Sequence, residues 1–268
     1  IPVASTTNFS TSVVAEVEST NEVVSFTDIS SNLTNYSEQF DNAWWTKFQA
    51  SISADAGVAP DGTTTADKAI PNTATRSDHI APYRLNWTTI NNTLSIFAKA
   101  DGYDFINLVY QIAATTSQGV QFNLATGAVT ASQNATGTIT DAGNGWYRCS
   151  LIPTTSTESV HAMFFISNGG TPSTSNYFRE PAWAGDGSSG ILVWGAQIEA
   201  GTLTTYLPTT SAALVGLTGV TRGANGTTAA SATSGDDIQQ LPYALLNVDM
   251  PVRLQGLSVS SDGTGAGR

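Results

Sequence analysis

Segments of alternating apolar and polar residues recur through the middle of this 268-residue chain. Their spacing is about 8–12 residues, and turn-forming Gly, Asn, Asp and Pro punctuate them. They occupy 79–87, 92–100, 104–113, 119–124, 137–140, 145–152, 160–167 and 190–199. In Leu94-Ser95-Ile96-Phe97-Ala98 and Phe105-Ile106-Asn107-Leu108 apolar residues fall at every second position, which lines them up on one face of a strand. No stretch of useful length repeats apolar residues at helical spacing between helix caps. Such segments bury their apolar faces by packing two sheets together. The expected fold is all-β, an antiparallel jelly-roll β-sandwich with an N-terminal arm and a C-terminal extension.

The most apolar segment predicts a finer feature. In Ile191-Leu192-Val193-Trp194-Gly195-Ala196-Gln197-Ile198-Glu199, Ile191 and Val193 keep one register and Ala196 and Ile198 the other. Gly195 stands where the register slips, so a β-bulge is expected there. Asp186-Gly187-Ser188-Ser189-Gly190 launches the strand as a turn, and Tyr206-Leu207-Pro208 closes the sandwich region beyond it.

Texture divides the chain into three. Residues 1–31 are Ser/Thr-rich and weakly apolar, an arm expected to dock onto a neighbouring subunit. Residues 32–208 form the sandwich. Residues 209–268 open as a Gly/Thr/Ala-rich linker and regain strand character at 239–248 and 252–259. Those short strands are expected to pair with the sandwich or a neighbouring chain. Neither terminal segment has apolar residues enough to fold alone, so a homo-oligomer is expected.

Composition narrows the function. Hydrophobic residues are 40% of the chain, which excludes a disordered polyelectrolyte, and charged residues only 12%. The surface is therefore Thr, Ser, Asn and Gly, a composition suited to an extracellular or particle-borne β protein. Net charge is −11, and the ten Lys and Arg are scattered singly, so no basic face for nucleic acid is expected. No apolar run approaches the roughly 20 residues of a membrane-spanning helix. Cys149 is the single cysteine and reads as a buried structural thiol. The opening Ile1-Pro2-Val3-Ala4 carries no signal-peptide pattern.

Five motifs lie in the central region: NLTNYSEQFDNAWW at 32–45, APDGTTTADK at 59–68, GNGWYRC at 143–149, WGAQIEAG at 194–201 and YLPTT at 206–210. Together they resemble a β-sandwich domain of phage tail and other virion structural proteins, related in fold to carbohydrate-binding modules. The resemblance covers about residues 32–208. It implies a non-enzymatic protein of the virion surface: a tail-fibre, appendage or capsid-surface component. Such proteins assemble with themselves, commonly as trimers, and with other virion proteins, and bind host-surface glycan. A polysaccharide-degrading enzyme and a secreted carbohydrate-binding module are the alternatives on the same fold. By the resemblance Trp146, Trp194 and one of Trp44 and Trp45 look like core residues. Modules of this fold often hold a structural Ca²⁺ between first and last strands, which would draw on Asp41 or Glu38 and on Glu199 or Gln197; Asp41 and Glu199 are the metal candidates. No other cofactor is implied.

The residues themselves offer little catalysis. There is no G-x-S-x-G elbow, no P-loop and no Cys/His pattern with metal spacing. His79 and His161 sit in strand-like stretches and read as hydrogen-bonded structural residues. The E-x-D-x-x-E arrangement of jelly-roll glucanases is absent, and Asp101 and Asp104 read as a turn with solvated acids rather than a catalytic pair. Sugar recognition needs aromatic faces with polar groups beside them. The candidates are Tyr103 and Asp104 in one turn, and Tyr177, Arg179 and Trp183 in the loop ahead of the long strand. Tyr83, Trp87 and Tyr110 are further unassigned aromatics. The 175–183 loop reads equally as a subunit contact.

Overall fold

The computed structural model of the protein describes residues 2–3, 14–17, 22–25, 28–87, 92–113, 116–154, 160–175, 178–218, 220–221, 227–228 and 238–240. The strands run in chain order as β1 (Pro2–Val3), β2 (Val14–Val17), β3 (Glu22–Ser25), β4 (Asp28–Asn32), β5 (Thr46–Phe48), β6 (Ala50–Gly57) and β7 (Ala66–Pro71). Next come β8 (Thr75–Arg76), β9 (Ile80–Trp87), β10 (Asn92–Asp101), β11 (Phe105–Ala113), β12 (Thr116–Asn123), β13 (Ala128–Gln133) and β14 (Ala135–Gly143). The rest are β15 (Trp146–Pro153), β16 (Val160–Ser167), β17 (Trp183–Ala184), β18 (Gly190–Ala200), β19 (Leu214–Thr218) and β20 (Ile238–Gln240). No helix occurs among the described residues.

Two six-stranded antiparallel sheets form a β-sandwich. The first has the order β14-β15-β10-β18-β7-β6 and the second β13-β12-β11-β16-β9-β5. Alternation decides what lies between them. Leu94, Ile96 and Ala98 of β10, Cys149 and Leu151 of β15, and Ile191, Val193, Ala196 and Ile198 of β18 face inward from the first sheet. Ile106, Leu108 and Tyr110 of β11, Val120 and Phe122 of β12, and Phe164 and Ile166 of β16 meet them from the second. Fully burying one such large side chain contributes about 1.5–3 kcal/mol. The Cys149 thiol is buried here, and burial pushes its pKa up. Tyr110 belongs to this core rather than to any surface, with its hydroxyl unpartnered. Phe40 and Trp45 close one end, with Trp44 edge-on to Trp45 at 4.6 Å.

A second apolar cluster covers the outer face of the first sheet. Trp146 and Trp194 are buried there with Ala59, Ala66 and Leu192, and Phe97 and Tyr206 pack against them. The turn between β6 and β7 supplies the cover. Gly62, at φ 89°, closes it with a bond from its N–H to the Ala59 carbonyl, and Asp61 accepts from the Thr63 amide at 2.9 Å. The Trp146 indole donates to the Val58 carbonyl at 3.0 Å and the Trp194 indole to the Thr65 hydroxyl at 3.1 Å.

The bulge lies at Gly195. Ser95 pairs with Gln197 and Phe97 with Trp194, so Gly195 and Ala196 together oppose Ile96. Gly195 sits at φ 61°, and a Cβ there would lie 3.0 Å from Phe97 and 3.1 Å from Tyr206. The displaced Ala196 N–H donates instead to the Ser37 carbonyl at 2.9 Å. Around this point the chain enters and leaves the sandwich. The Asn32 amide donates to the Ala196 and Leu207 carbonyls, both at 2.9 Å, while its oxygen accepts from Ile198 N–H, Thr34 N–H and the Thr34 hydroxyl. Tyr36 N–H reaches the Thr210 carbonyl at 2.5 Å, and the Ser37 and Tyr206 hydroxyls lie 2.7 Å apart.

The terminal segments pair with each other inside the chain. β19 lies between β1 and β4, and β2 lies between β20 and β3, all antiparallel. The arm therefore has strand partners in the extension of the same chain. The strand-like stretch 252–259 and most of 239–248 lie outside the described residues.

Candidate functional site

The strand pair β8 and β17 is only two residues long on each side, and it sets Trp183 directly opposite Arg76. Opposed residues share one face of a sheet, with Cβ atoms about 4.5–5.5 Å apart. His79 comes shortly after β8 and lies under the Trp183 ring at 4.5 Å between centroids. Its Nδ1 is 2.8 Å from the Gln49 carbonyl oxygen and its Nε2 3.2 Å from that of Trp183. A neutral imidazole donates through one of these and an imidazolium through both. His79 is buried, so it fixes Trp183 rather than meeting a ligand.

Tyr103 arrives from the turn after β10, where Gly102 takes φ 109° against Ser189 and Tyr103 N–H bonds the Gly190 carbonyl at 3.1 Å. Its ring centroid stands 5.0 Å from that of Trp183, tilted by 58°. Both rings are half-buried with their inner edges on the main core. The Asp186 N–H donates to the Tyr103 hydroxyl at 3.3 Å. The Asp186 carboxylate accepts from Ser188 N–H, Ser189 N–H and the Ser189 hydroxyl, which hold it well below the usual carboxylate range. It therefore keeps a fixed negative charge beside Tyr103.

On the other flank Asp78 is buried between two arginines. The Arg76 Nε lies 3.0 Å from Asp78 Oδ1 and the Arg179 Nη1 3.6 Å from Oδ2. Arg76 also spreads over the Phe48 ring at 5.7 Å. Phe48 is 39% exposed, one of the few large apolar side chains on the surface among the described residues.

Of the residues expected to bind sugar, Tyr103 and Trp183 come together, and Arg179 joins them through Asp78. Asp104 is exposed next to Tyr103, its carbonyl accepting from Leu124 N–H at 2.6 Å. Tyr177 lies outside the described residues. The loop ahead of Trp183 is a strap on the outer face of the second sheet. Phe178, at φ 57°, is buried against Gly119, where a Cβ would meet its ring at 2.3 Å. Glu180 is buried too, accepting from Asn107 at 3.2 Å, Gln121 at 2.7 Å, the Ser167 hydroxyl and Asn168 N–H. Burial raises its pKa against the opposing effect of those bonds. Neither side chain is available to a ligand. Arg76 and Phe48 were missed by sequence reasoning, since β8 and β5, two and three residues long, are too short to carry a periodic signal.

Other acidic groups are engaged structurally. Asp101 pairs with Lys68 at 2.7 Å. Glu199 is buried, accepting from Gln197 at 2.9 Å and from the Thr204 amide and hydroxyl. Asp41 is exposed, with its N–H on Asp67 and its carbonyl on Lys47. The two metal candidates thus share no hydrogen-bond partner, and no group of three or more His, Cys, Asp and Glu suited to a metal occurs among the described residues. A cavity of about 440 Å³ on the first sheet is lined by Phe97, Asp141, Arg148 and Thr204. Its Arg148 is committed to the Thr204 carbonyl at 2.6 Å and the Ser95 hydroxyl at 3.2 Å, and so ties down the 203–205 turn. No protein-family model matches the chain, and no curated protein does.

Proposed function

We propose that this chain is a non-enzymatic structural protein of a virus particle whose sandwich recognises carbohydrate on the host surface. The observation that carries the recognition is the meeting of Tyr103 and Trp183 at one rim, centroids 5.0 Å apart, with polar groups on both flanks. Tilted aromatic faces beside carboxylate and guanidinium groups are what stacking on a sugar ring and reading of its hydroxyls require. The engagement of Asp101 by Lys68, of Glu180 by the second sheet and of Glu199 by the turn that follows it argues against a pair of catalytic carboxylates. The placement on a particle rests on the motif resemblance across 32–208. It is tested by mass spectrometry of purified particles, where the chain is expected among the structural proteins. Recognition is tested by pull-down on host-surface polysaccharides. Binding that disappears in Tyr103→Ala and Trp183→Ala supports it, and no binding by the wild-type chain leaves only the structural role.

A further inference from the structure

We propose that the saccharide taken at this rim is an acidic one, with its carboxylate held by Arg76. This rests on the carbohydrate reading and adds the ligand's charge. The chain as a whole carries −11, which disfavours an anionic ligand almost everywhere on it. The Trp183 flank is the local exception. Arg76 and Arg179 both reach Asp78 here, which brings guanidinium groups to the Trp183 side of the aromatic pair. Arg76 is the accessible member: its side chain is 45% exposed, against 25% for Arg179 and 8% for Asp78. Asp78 occupies its Nε at 3.0 Å and reaches its Nη2 at 3.5 Å, so the Nη1 edge of the fork stays open to a carboxylate. Packing over Phe48 orients the guanidinium plane before any ligand arrives, and the β8–β17 register puts it on the same face as Trp183. The opposite flank has the reverse sign. Asp186 and Asp104 stand by Tyr103, where they accept from sugar hydroxyls and repel a carboxylate. The rim is therefore polarised, with the acid end of the sugar toward Arg76 and a hydroxyl-rich end toward Tyr103.

The experiment immobilises matched pairs of saccharides, sialic- and uronic-acid glycans each beside its carboxyl-reduced form, and measures binding of the full chain to both. Binding is expected to the acidic member of a pair and to fall about tenfold or more on carboxyl reduction. Arg76→Gln, an exposed change, is expected to produce a loss of the same size for the acidic member and little change for the reduced one. Equal binding to both members, unmoved by Arg76→Gln, overturns the acidic preference and leaves carbohydrate recognition standing. Binding to neither member in any pair overturns both. Thermal unfolding of Arg76→Gln at the wild-type midpoint separates a lost contact from a lost fold.

Discussion

Single residues fix where this sandwich is closed, and the closure can be measured. Gly195 holds a left-handed backbone conformation between Phe97 and Tyr206, so Gly195→Ala adds both a strained φ and a crowded Cβ. The expected cost is about 1–3 kcal/mol in urea unfolding, and wild-type stability would contradict the bulge. Asn32 is a second such point. Its buried amide satisfies the carbonyls of Ala196 and Leu207 and the N–H of Ile198, so Asn32→Ala leaves buried backbone groups without partners. Each orphaned group costs about 1–3 kcal/mol, and Asn32→Asp, which keeps the acceptor but loses the donors, is expected to recover only part. At this scale the sequence was readable where chemistry is local. Gly195 breaks a two-residue period visible in Ile191–Ile198, whereas nothing near Asn32 points to partners more than 160 residues away.

Among the elements, the strap over the second sheet is the least expected. Its Phe178 fills the space a side chain at position 119 would need, and Glu180 binds Asn107, Gln121 and Ser167. Phe178→Ala is expected to cost about 3 kcal/mol and to speed hydrogen exchange at Gly170 and Ser173 before the rest of the sheet. Uniform loss of protection would argue that the strap is not a separate unit. The strands themselves divide by position. Val160–Ser167 and the long strand at 190–200 were legible because a central strand buries apolar residues along its length. β6 and β13 were not, because ASISADAG and AVTASQ are edge strands with mostly exposed small side chains. The strap read as a surface loop since Glu180 looks solvated until its three buried donors are known. The Trp183–Arg76 pairing was illegible for a related reason: two residues are too few for a period.

For the whole molecule, buried carboxyls set the response to pH. Burial raises Glu38, Asp67 and Glu180 above their ordinary values. Each holds its proton more tightly folded than unfolded. Their contribution is therefore fully present below the unfolded carboxylate range and is lost as pH rises through the raised folded values. Asp186 works in the opposite sense, losing its contribution only as pH falls through its lowered value. The denaturant midpoint is expected to be higher near about pH 5 than at about pH 7, and Glu180→Gln is expected to narrow that gap. A gap unchanged by the substitution would move the effect to Glu38 and Asp67. The core cluster runs from Phe40 to Ile198, so removing residues 219–268 is expected to leave the sandwich's stability within about 1 kcal/mol of wild type, read by tryptophan fluorescence. The bonds from Tyr36 to Thr210 and between Ser37 and Tyr206 carry one more consequence. The two ends of the sandwich stand side by side, about one strand spacing apart. A unit with adjacent ends can be spliced into a surface turn of another polypeptide without parting that turn, so residues 32–210 amount to a portable cassette that a longer protein could display like a bead on a loop.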